Sequence, residues 1–522
     1  MKNQAQLITY VDRLAGGGFR ELKALLDGPL SGVFGGVHLL PFFDPIDGAD
    51  AGFDPIDHTS VDSRLGTWDD VRELSAQMEL MADVIVNHMS AESPQFKDFS
   101  ALGSESRFDG LFLTFDRIFP DGATEAALLE IYRPRPGLPL RYTIMANGQR
   151  RILWSTFTAQ QVDIDVHHPL GQAYLDSILT RLSSSGVRMV RLDAVGYAIK
   201  KAGGSCFMTP QTFAFIEQFA ARAKELNMEV LVEVHSHYGK QIEIAERVDW
   251  VYDFALPPLL LHAFFFGTAE SLKQWIDIRP QNSLTVLDTH DGIGVIDIGA
   301  DPADRDGRPG LVPPHELDRL VEIIHENSRG ESRLATGAAA SNLDLYQVNC
   351  TYYDALGRND LAYLLARAVQ CFLPGIPQVY YVGLLAGTND MALLEKTGVG
   401  RDINRHFYRR SEAEAELDKP IVRQLLDLLR LRNTSPAFNG SFQSLSCSAH
   451  GIDLLWTHET HAARLTVDFS TLAYSLTHGS DGTFASLRFE TAKTRETEAL
   501  IDIAKHSPLN TSPLEKQEMP LG

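Results

Sequence analysis

The segment VRMVRLDAV (187–195) carries Arg191 and Asp193, with Arg188 before them, inside an otherwise apolar run. Val187, Met189, Val190, Leu192, Ala194 and Val195 read as a strand buried on both faces, so Arg191 and Asp193 are expected to be buried with it. Ionised groups are costly to bury unless they are paired or used. Side chains two apart on a strand point the same way, so this guanidinium and this carboxylate share one face. Carboxylates recur at the ends of two later apolar runs: Glu233 in LVEVHS (231–236) and Asp291 in VLDTHDG (286–292). Asn87 and His88 close a further run, DVIVNH (83–88). Two carboxylates of unequal protonation, flanking an acetal, are what glycosyl transfer requires. One attacks the anomeric carbon, while the other, kept protonated by its neighbour's charge, protonates the leaving oxygen. A third carboxylate can bind hydroxyls and favour positive charge at the ring, and Arg191 can keep a neighbouring nucleophile ionised. Taken singly, each residue has a plainer reading. Asp193 can be half of a buried ion pair, Glu233 a satisfied strand-end acid, His88 the close of a strand, and Asp291 beside Gly292 a turn former. Together, at the ends of neighbouring strands, they make a site.

The elements that must position them follow from the spacing of apolar runs. QLITYVD (6–12), GVHLLPFF (36–43), LMADVIVNH (80–88), VRMVRLDAV (187–195), EVLVEVHS (229–236), VDWVYDFAL (248–256), SLTVLDTHD (283–291) and PGIPQVYYV (374–382) are eight continuous apolar strands. Helical segments such as FRELKALLDG and PQTFAFIEQFAARAKELN stand between them. The pattern predicts an α/β protein built on a (β/α)8 barrel, in which residues at the C-terminal strand ends face the catalytic mouth. Two connections are too long to be simple loops. The expected organisation is a barrel over 1–88, 167–291 and 358–437, with loop-rich inserted domains at 89–166 and 292–357 over the mouth. From residue 438 the sequence alternates with period two, which predicts a C-terminal antiparallel β domain over 438–522. Its tail, HSPLNTSPLEKQEMPLG, has little to bury and is expected to lack structure.

Composition narrows the partners. The chain has 522 residues, 44% of them hydrophobic, and a formal net charge of -21. That acidity argues against nucleic acid or an anionic membrane as partner and makes any anionic substrate dependent on a local arginine cluster. The four cysteines, at 206, 350, 371 and 447, have neither metal-ligand nor redox spacing and read as free thiols of a reducing compartment. MKNQAQLITYVDRL shows no signal peptide, and FALPPLLLHAFFFG, the longest apolar stretch, is broken by two prolines. A cytoplasmic protein is expected; a homodimer is an expectation that no motif decides.

DVIVNH, VRLDAVGY, LVEVHS and VLDTHDG, in this order, resemble the four motifs of the alpha-amylase superfamily. Further stretches are similar to its sucrose phosphorylases: LPFFDPIDGADAGFDPIDHT (40–59), YRPRPGLP (132–139), DFALPPLLLHA (253–263), AASNLDLYQVN (339–349) and GRDINRH (400–406). The resemblance covers roughly residues 1–437. It implies Asp193 as nucleophile, Glu233 as acid/base and Asp291 as transition-state stabiliser. His88, Arg191 and His290 then line a glucosyl pocket whose base is closed by Asp50 and Arg401, with Phe53 as a platform for the sugar face. The implied reaction is reversible phosphorolysis of sucrose to alpha-glucose 1-phosphate and fructose, without a cofactor. Relatives acting on sucrose 6-phosphate, glucosylglycerol or glucosylglycerate share the same trio, as do sucrose hydrolases and transglucosylases, and all remain open here. So does a non-catalytic sugar-binding barrel, against which the complete trio speaks.

A phosphorylase must bring an anion into a pocket of carboxylates, which demands local positive charge. Arg133 and Arg135, on the proline-stiffened YRPRPGLP, can supply it; a rigid surface loop with solvated charges is the alternative. The resemblance adds Leu343, Asp344, Tyr346 and Gln347 at the acceptor side. His237 stands where an aromatic residue is expected in the family. Amylases often bind calcium beside the Asn of DVIVNH; the sequence offers no clear further oxygen ligands, and the resemblance implies no metal.

Overall fold

The computed structural model describes residues 1–48, 50–133, 137–301, 307–337 and 347–490. All eight expected strands fall within it, whereas Arg135, Leu343, Asp344, Tyr346 and the C-terminal tail lie outside the described residues. Eight parallel strands close into a barrel: β1 Gln6–Thr9, β2 Gly36–Leu39, β3 Glu79–Ile85, β4 Val187–Asp193, β5 Glu229–Val232, β6 Trp250–Asp253, β7 Ser283–Thr285 and β8 Ile376–Tyr380. Each pairs with its neighbours in chain order, and β8 returns to β1. Arg191 sits in register with Asp83 on β3 and Leu231 on β5, which fixes the height of the site in the barrel.

The strands are shorter than the apolar runs that signal them. Every run begins within about a turn of its strand, but the chain leaves the ladder early, most of all at β7. Val286 and Leu287 remain buried past its last residue. Apolar pattern reports burial, and burial continues into the loops that carry the site, whereas pairing stops. Thus Asp193 ends β4 as expected, Glu233 lies one residue past β5, and Asp291 lies well beyond β7 on a loop rather than at its end.

Helices cover the barrel where the sequence places them, over Phe19–Asp27, Trp68–Ser75, Pro169–Ser184 and Pro210–Glu225. The last starts at a Thr209 cap with Pro210 in its first turn, where the missing N–H costs nothing. The stretch LPPLLLHAFFF forms one helix, Leu256–Phe266, with Pro257 and Pro258 in the first turn. It is apolar all round because it is buried all round. Among the described residues no helix is long and apolar enough to cross a membrane.

Residues 89–166 carry a helix, Pro94–Leu102, a hairpin, Leu140–Ile144 with Arg150–Trp154, and a strand, Gln161–Asp163, that pairs with His88–Ser90 at the barrel mouth. Leu113, Phe119, Ile131, Trp154 and Cys206 form a small core of their own there. Residues 292–357 include helices Pro314–Asn327 and Glu331–Thr336 and a two-stranded ribbon, Ile293–Gly294 with Gln347–Val348. The C-terminal region is a five-stranded antiparallel sheet, β9 Ser441–Ser444, β10 Gly451–His458, β11 His461–Asp468, β12 Tyr474–Ser480 and β13 Thr483–Ser486. Its inward positions, Leu454, Trp456, Leu465 and Leu476, are buried, and the Trp456 indole N–H donates to the Phe372 carbonyl at 2.6 Å, tying the sheet to the barrel. All four cysteines are free thiols.

Candidate active site

Arg191 is the centre of the site. Its guanidinium is buried and reaches three carboxylates: Asp83 Oδ1 at 2.5 Å, Asp193 Oδ1 at 3.0 Å and Glu233 Oε1 at 3.0 Å. Asp193 and Glu233 therefore flank one cation, on the same side of the barrel mouth. Burial pushes the Asp193 carboxyl well up; Arg191 opposes this, and the Glu233 charge adds to it. Ala194 next in the chain takes a left-handed backbone, φ 54°, so the chain turns sharply after Asp193 and aims its N–H at Glu233 Oε2, 3.5 Å away. For a residue with a Cβ this conformation costs roughly 1–2 kcal/mol.

Below, Asp83 is held by Arg191 and by His38, whose Nε2 is 3.1 Å from Asp83 Oδ2. Burial alone would raise the Asp83 carboxyl, but Arg191 and His38 outweigh it and bring it down to about 2. Asp83 thus stays ionised and compensates part of the Arg191 charge.

Across the mouth, Asp291 is held from one turn that follows β8. Arg401 Nη1 lies 2.6 Å from Asp291 Oδ1, and Arg405 Nη2 lies 4.0 Å away while its Nε donates to the His290 carbonyl at 2.9 Å. Burial would raise Asp291; Arg401, His290 and Arg405 together hold it well below the usual carboxylate range. Arg401 also donates to Gln347 Oε1 at 3.3 Å. Asp50, expected with Arg401 at the pocket base, accepts from Gln161 Nε2 at 3.2 Å. Phe53 is buried with its ring parallel to His290, centroids 4.7 Å apart, and its carbonyl accepts from His88 Nε2 at 2.9 Å. Glu233, His235 and Asp291 converge to within 4.8 Å of one another. The structure thus brings together Asp50, Phe53, His88, Arg191, Asp193, Glu233, His290, Asp291, Gln347 and Arg401; Arg133 is exposed.

His237, the family departure, is a structural capping residue. Its Nδ1 accepts from the Gly239 N–H at 3.1 Å, and its Nε2–H donates to the Pro309 carbonyl at 3.1 Å. Beside Asn87, where amylases often hold calcium, stands an ammonium. Lys200 Nζ lies 2.5 Å from both Asn87 Oδ1 and Asp163 Oδ2, and all three groups are buried. This pair joins the barrel to residues 89–166. Breaking a buried pair leaves a stranded charge and costs about 3–5 kcal/mol. Lys200→Met is therefore expected to lower the denaturant midpoint substantially; a midpoint within error of wild type contradicts this.

Buried neutral histidines give the site a pH signature. Burial lowers His58 to about 4 and His290 to about 3. Unfolded, both titrate near 6.5. Between that value and their folded values the unfolded chain binds more protons, so stability rises with pH across this window. For His58 alone this is on the order of 3 kcal/mol, fully present above pH 6.5 and lost as pH falls through about 4. Equilibrium unfolding at pH 7 and pH 5 checks it: unchanged stability would count against both histidines being neutral in the fold.

Four positions now visible were not singled out from sequence. Asp83 lies in a quoted motif, but only the β3–β4 register shows that it meets Arg191. His235 follows Glu233 by two and so shares its face, a signal that was there to be read. Asp297 and Lys200 come from irregular segments and gave none.

The protein-family model for the alpha amylase catalytic domain matches residues 32–257. Sucrose phosphorylase of Agrobacterium vitis is 63% identical over 470 residues, 90% of this chain and 96% of that protein. Sucrose phosphorylase of Bifidobacterium adolescentis is 57% identical over 468 residues, 90% and 92% of the two chains. The crystal structure of sucrose 6F-phosphate phosphorylase from Thermoanaerobacter thermosaccharolyticum superimposes with a TM-score of 0.85 at 36% identity, covering 93% of this chain and 97% of that one. The chain belongs to the sucrose phosphorylase family, within the alpha-amylase superfamily.

Proposed function

We propose that the protein converts sucrose and phosphate reversibly to alpha-glucose 1-phosphate and fructose by double displacement through a covalent glucosyl-enzyme. The observation that carries this reading is the single guanidinium of Arg191 shared by Asp193 and Glu233 at 3.0 Å each, with Asp291 held opposite, in a chain 63% identical to a sucrose phosphorylase. The reaction needs Glu233 as the acid and Asp193 as the carboxylate. Asp193 attacks C1 of the glucosyl unit; the bond from C1 to the fructosyl oxygen breaks, and that oxygen takes the Glu233 proton. A phosphate oxygen then attacks C1, the ester bond breaks, and Asp193 leaves as carboxylate; a proton returns to Glu233 from phosphate or solvent. Asp291, kept ionised by Arg401, favours positive charge at the ring in both steps. His88, His290, Phe53, Asp50 and Arg401 line the glucosyl pocket, and no cofactor takes part.

The acceptor side is supplied by the segments over the mouth, 89–166 and 292–357, which act as inserted domains. Arg135, Leu343, Asp344, Tyr346 and Gln347 belong there, with Arg135 meeting phosphate. The free thiols support a cytoplasmic setting. The hairpin of 89–166 exposes Tyr142, Ile144 and Ile152 side by side, which supports a homodimer; sedimentation as a monomer at micromolar concentration would count against it. The reaction is tested by incubating sucrose with and without phosphate and following glucose 1-phosphate and free glucose separately. Phosphate-dependent glucose 1-phosphate is expected. Free glucose at the same rate with and without phosphate points to a hydrolase instead, and preference for sucrose 6-phosphate points to the related phosphorylase.

A further inference from the structure

Beside the proposed acid/base lies a carboxylate–histidine pair that the two displacement steps leave unused. His235 Nδ1 is 2.9 Å from Asp297 Oδ2, and Asp297 Oδ1 accepts from the Ser236 N–H at 3.1 Å and from Gln241 Nε2 at 2.9 Å. Asp297 is fully buried, in a single turn of 3-10 helix, Ile296–Ile298, and so is unusually well fixed for a residue of an irregular segment. The His235 ring stacks on Phe254, centroids 3.8 Å apart and planes 16° from parallel. With Nδ1–H bound to Asp297, Nε2 is aimed at the mouth, 4.0 Å from Glu233 Oε1. The pair fits because Gly294 has no side chain: a Cβ there would come within 2.2 Å of Asp297 Oδ2 and 2.9 Å of His235 Nδ1.

This geometry bears on a problem of the second step. Once Glu233 has given up its proton, Glu233 and Asp291 are both anionic, and an anionic phosphate must enter between them and the sugar. We propose that Asp297 is a positioning residue for His235, holding the ring as an imidazolium with Nε2–H toward the mouth, where its charge receives the incoming phosphate. The inference rests on the phosphorylase reading and deepens it. Among the described residues, the charged groups facing the ring are Asp297 from the segment after β7, Glu233 past β5 and Asp291 beyond β7, with Arg401 paired to Asp291; Phe254, the residue after β6, stacks on it. Burial acts against the imidazolium, but the three carboxylates outweigh it, Asp297 foremost, and the ring titrates above its usual 6.5. The role is electrostatic: His235 makes and breaks no bond to the substrate.

Asp297→Asn keeps an oxygen to accept Nδ1–H and removes the charge. The imidazolium exists below its pKa, so lowering that pKa removes the cation from the neutral and alkaline range first. The assay supplies alpha-glucosyl fluoride with inorganic phosphate and measures the ratio of glucose 1-phosphate to glucose, which reports how the glucosyl-enzyme divides between phosphate and water. In Asp297→Asn the alkaline fall of this ratio is expected to move down by about one pH unit, giving roughly a tenfold lower ratio at pH 7.5 and little change at pH 5.5. A profile that overlies wild type, or a ratio reduced by the same factor at both pH values, would overturn the proposal; the latter is what a merely structural role produces. If Asp297→Asn does not fold, His235→Gln decides: the pH-dependent limb must vanish, and its persistence overturns the proposal equally. Wild-type enzyme giving no glucose 1-phosphate at any pH would instead sink the underlying phosphorylase reading, so the two failures are distinct.

Discussion

Asp193→Asn is expected to abolish turnover of both sucrose and alpha-glucosyl fluoride, whereas Glu233→Gln is expected to fail on sucrose alone. The difference follows from what each step needs. Fructose is a poor leaving group, so breaking its bond requires a proton from Glu233; fluoride leaves with far less help. Inorganic phosphate near neutral pH is already ionised and scarcely needs a base. Glu233→Gln should therefore lose about 10²–10⁴-fold on sucrose, yet still convert alpha-glucosyl fluoride and phosphate into glucose 1-phosphate. Asp193→Asn can form no ester from either donor, and a loss on the order of 10⁴-fold or more is expected with both. Following glucose 1-phosphate for both variants on both donors checks this. Rescue of Asp193→Asn by the fluoride, with none for Glu233→Gln, would reverse the two roles.

Arg191→Met should be the most damaging change that alters no reacting group. It leaves Asp83, Asp193 and Glu233 buried together without the cation that reaches all three. His38 still faces Asp83 and His235 lies 4.0 Å from Glu233, but among the described residues no other arginine or lysine pairs with Asp193 or Glu233. Removing one partner of a buried ion pair costs about 3–5 kcal/mol. The relief available to the variant is protonation, and that removes the nucleophile as well. Every unit by which the Asp193 carboxyl rises takes a further tenfold from its ionised fraction at fixed pH. Expected results are a clearly lower denaturant midpoint and a loss of at least ~10²-fold on alpha-glucosyl fluoride at pH 7. The residual rate should climb with pH where that of wild type does not. A variant of wild-type stability with a flat pH profile would mean that Arg191 does not govern the charge of the pair.

How far the sequence went is seen best in β4 and β7. VRMVRLDAV is apolar apart from Arg188, Arg191 and Asp193, and a strand buried on both faces belongs in a parallel sheet covered by helices; strand and face followed from that. SLTVLDTHD looks much the same, yet its strand is three residues long and Asp291 rides on a loop. Loops at a barrel mouth are as apolar as strands where they pack inward, so pattern alone does not show where pairing ends. The resemblance implies Arg401 at the pocket base with Asp50; that it also sits on Asp291, a contact between turns separated by more than a hundred residues, no sequence pattern shows. The same limit hid Asp297 and Lys200. Each acts through a partner brought close only by the closed fold, and neither stands in a period that singles it out. His235 is different: its place two residues after Glu233 was itself a signal of a shared face.

The central claim is a glucosyl ester on Asp193, and direct trapping tests it. Glu233→Gln is mixed with alpha-glucosyl fluoride without phosphate, quenched in acid, digested with pepsin and examined by mass spectrometry. The expected result is the mass of one glucosyl residue added to the peptide containing Asp193, discharged as alpha-glucose 1-phosphate when phosphate is supplied before the quench. A label on any other carboxylate, or beta-glucose 1-phosphate as the first discharged product, would contradict it.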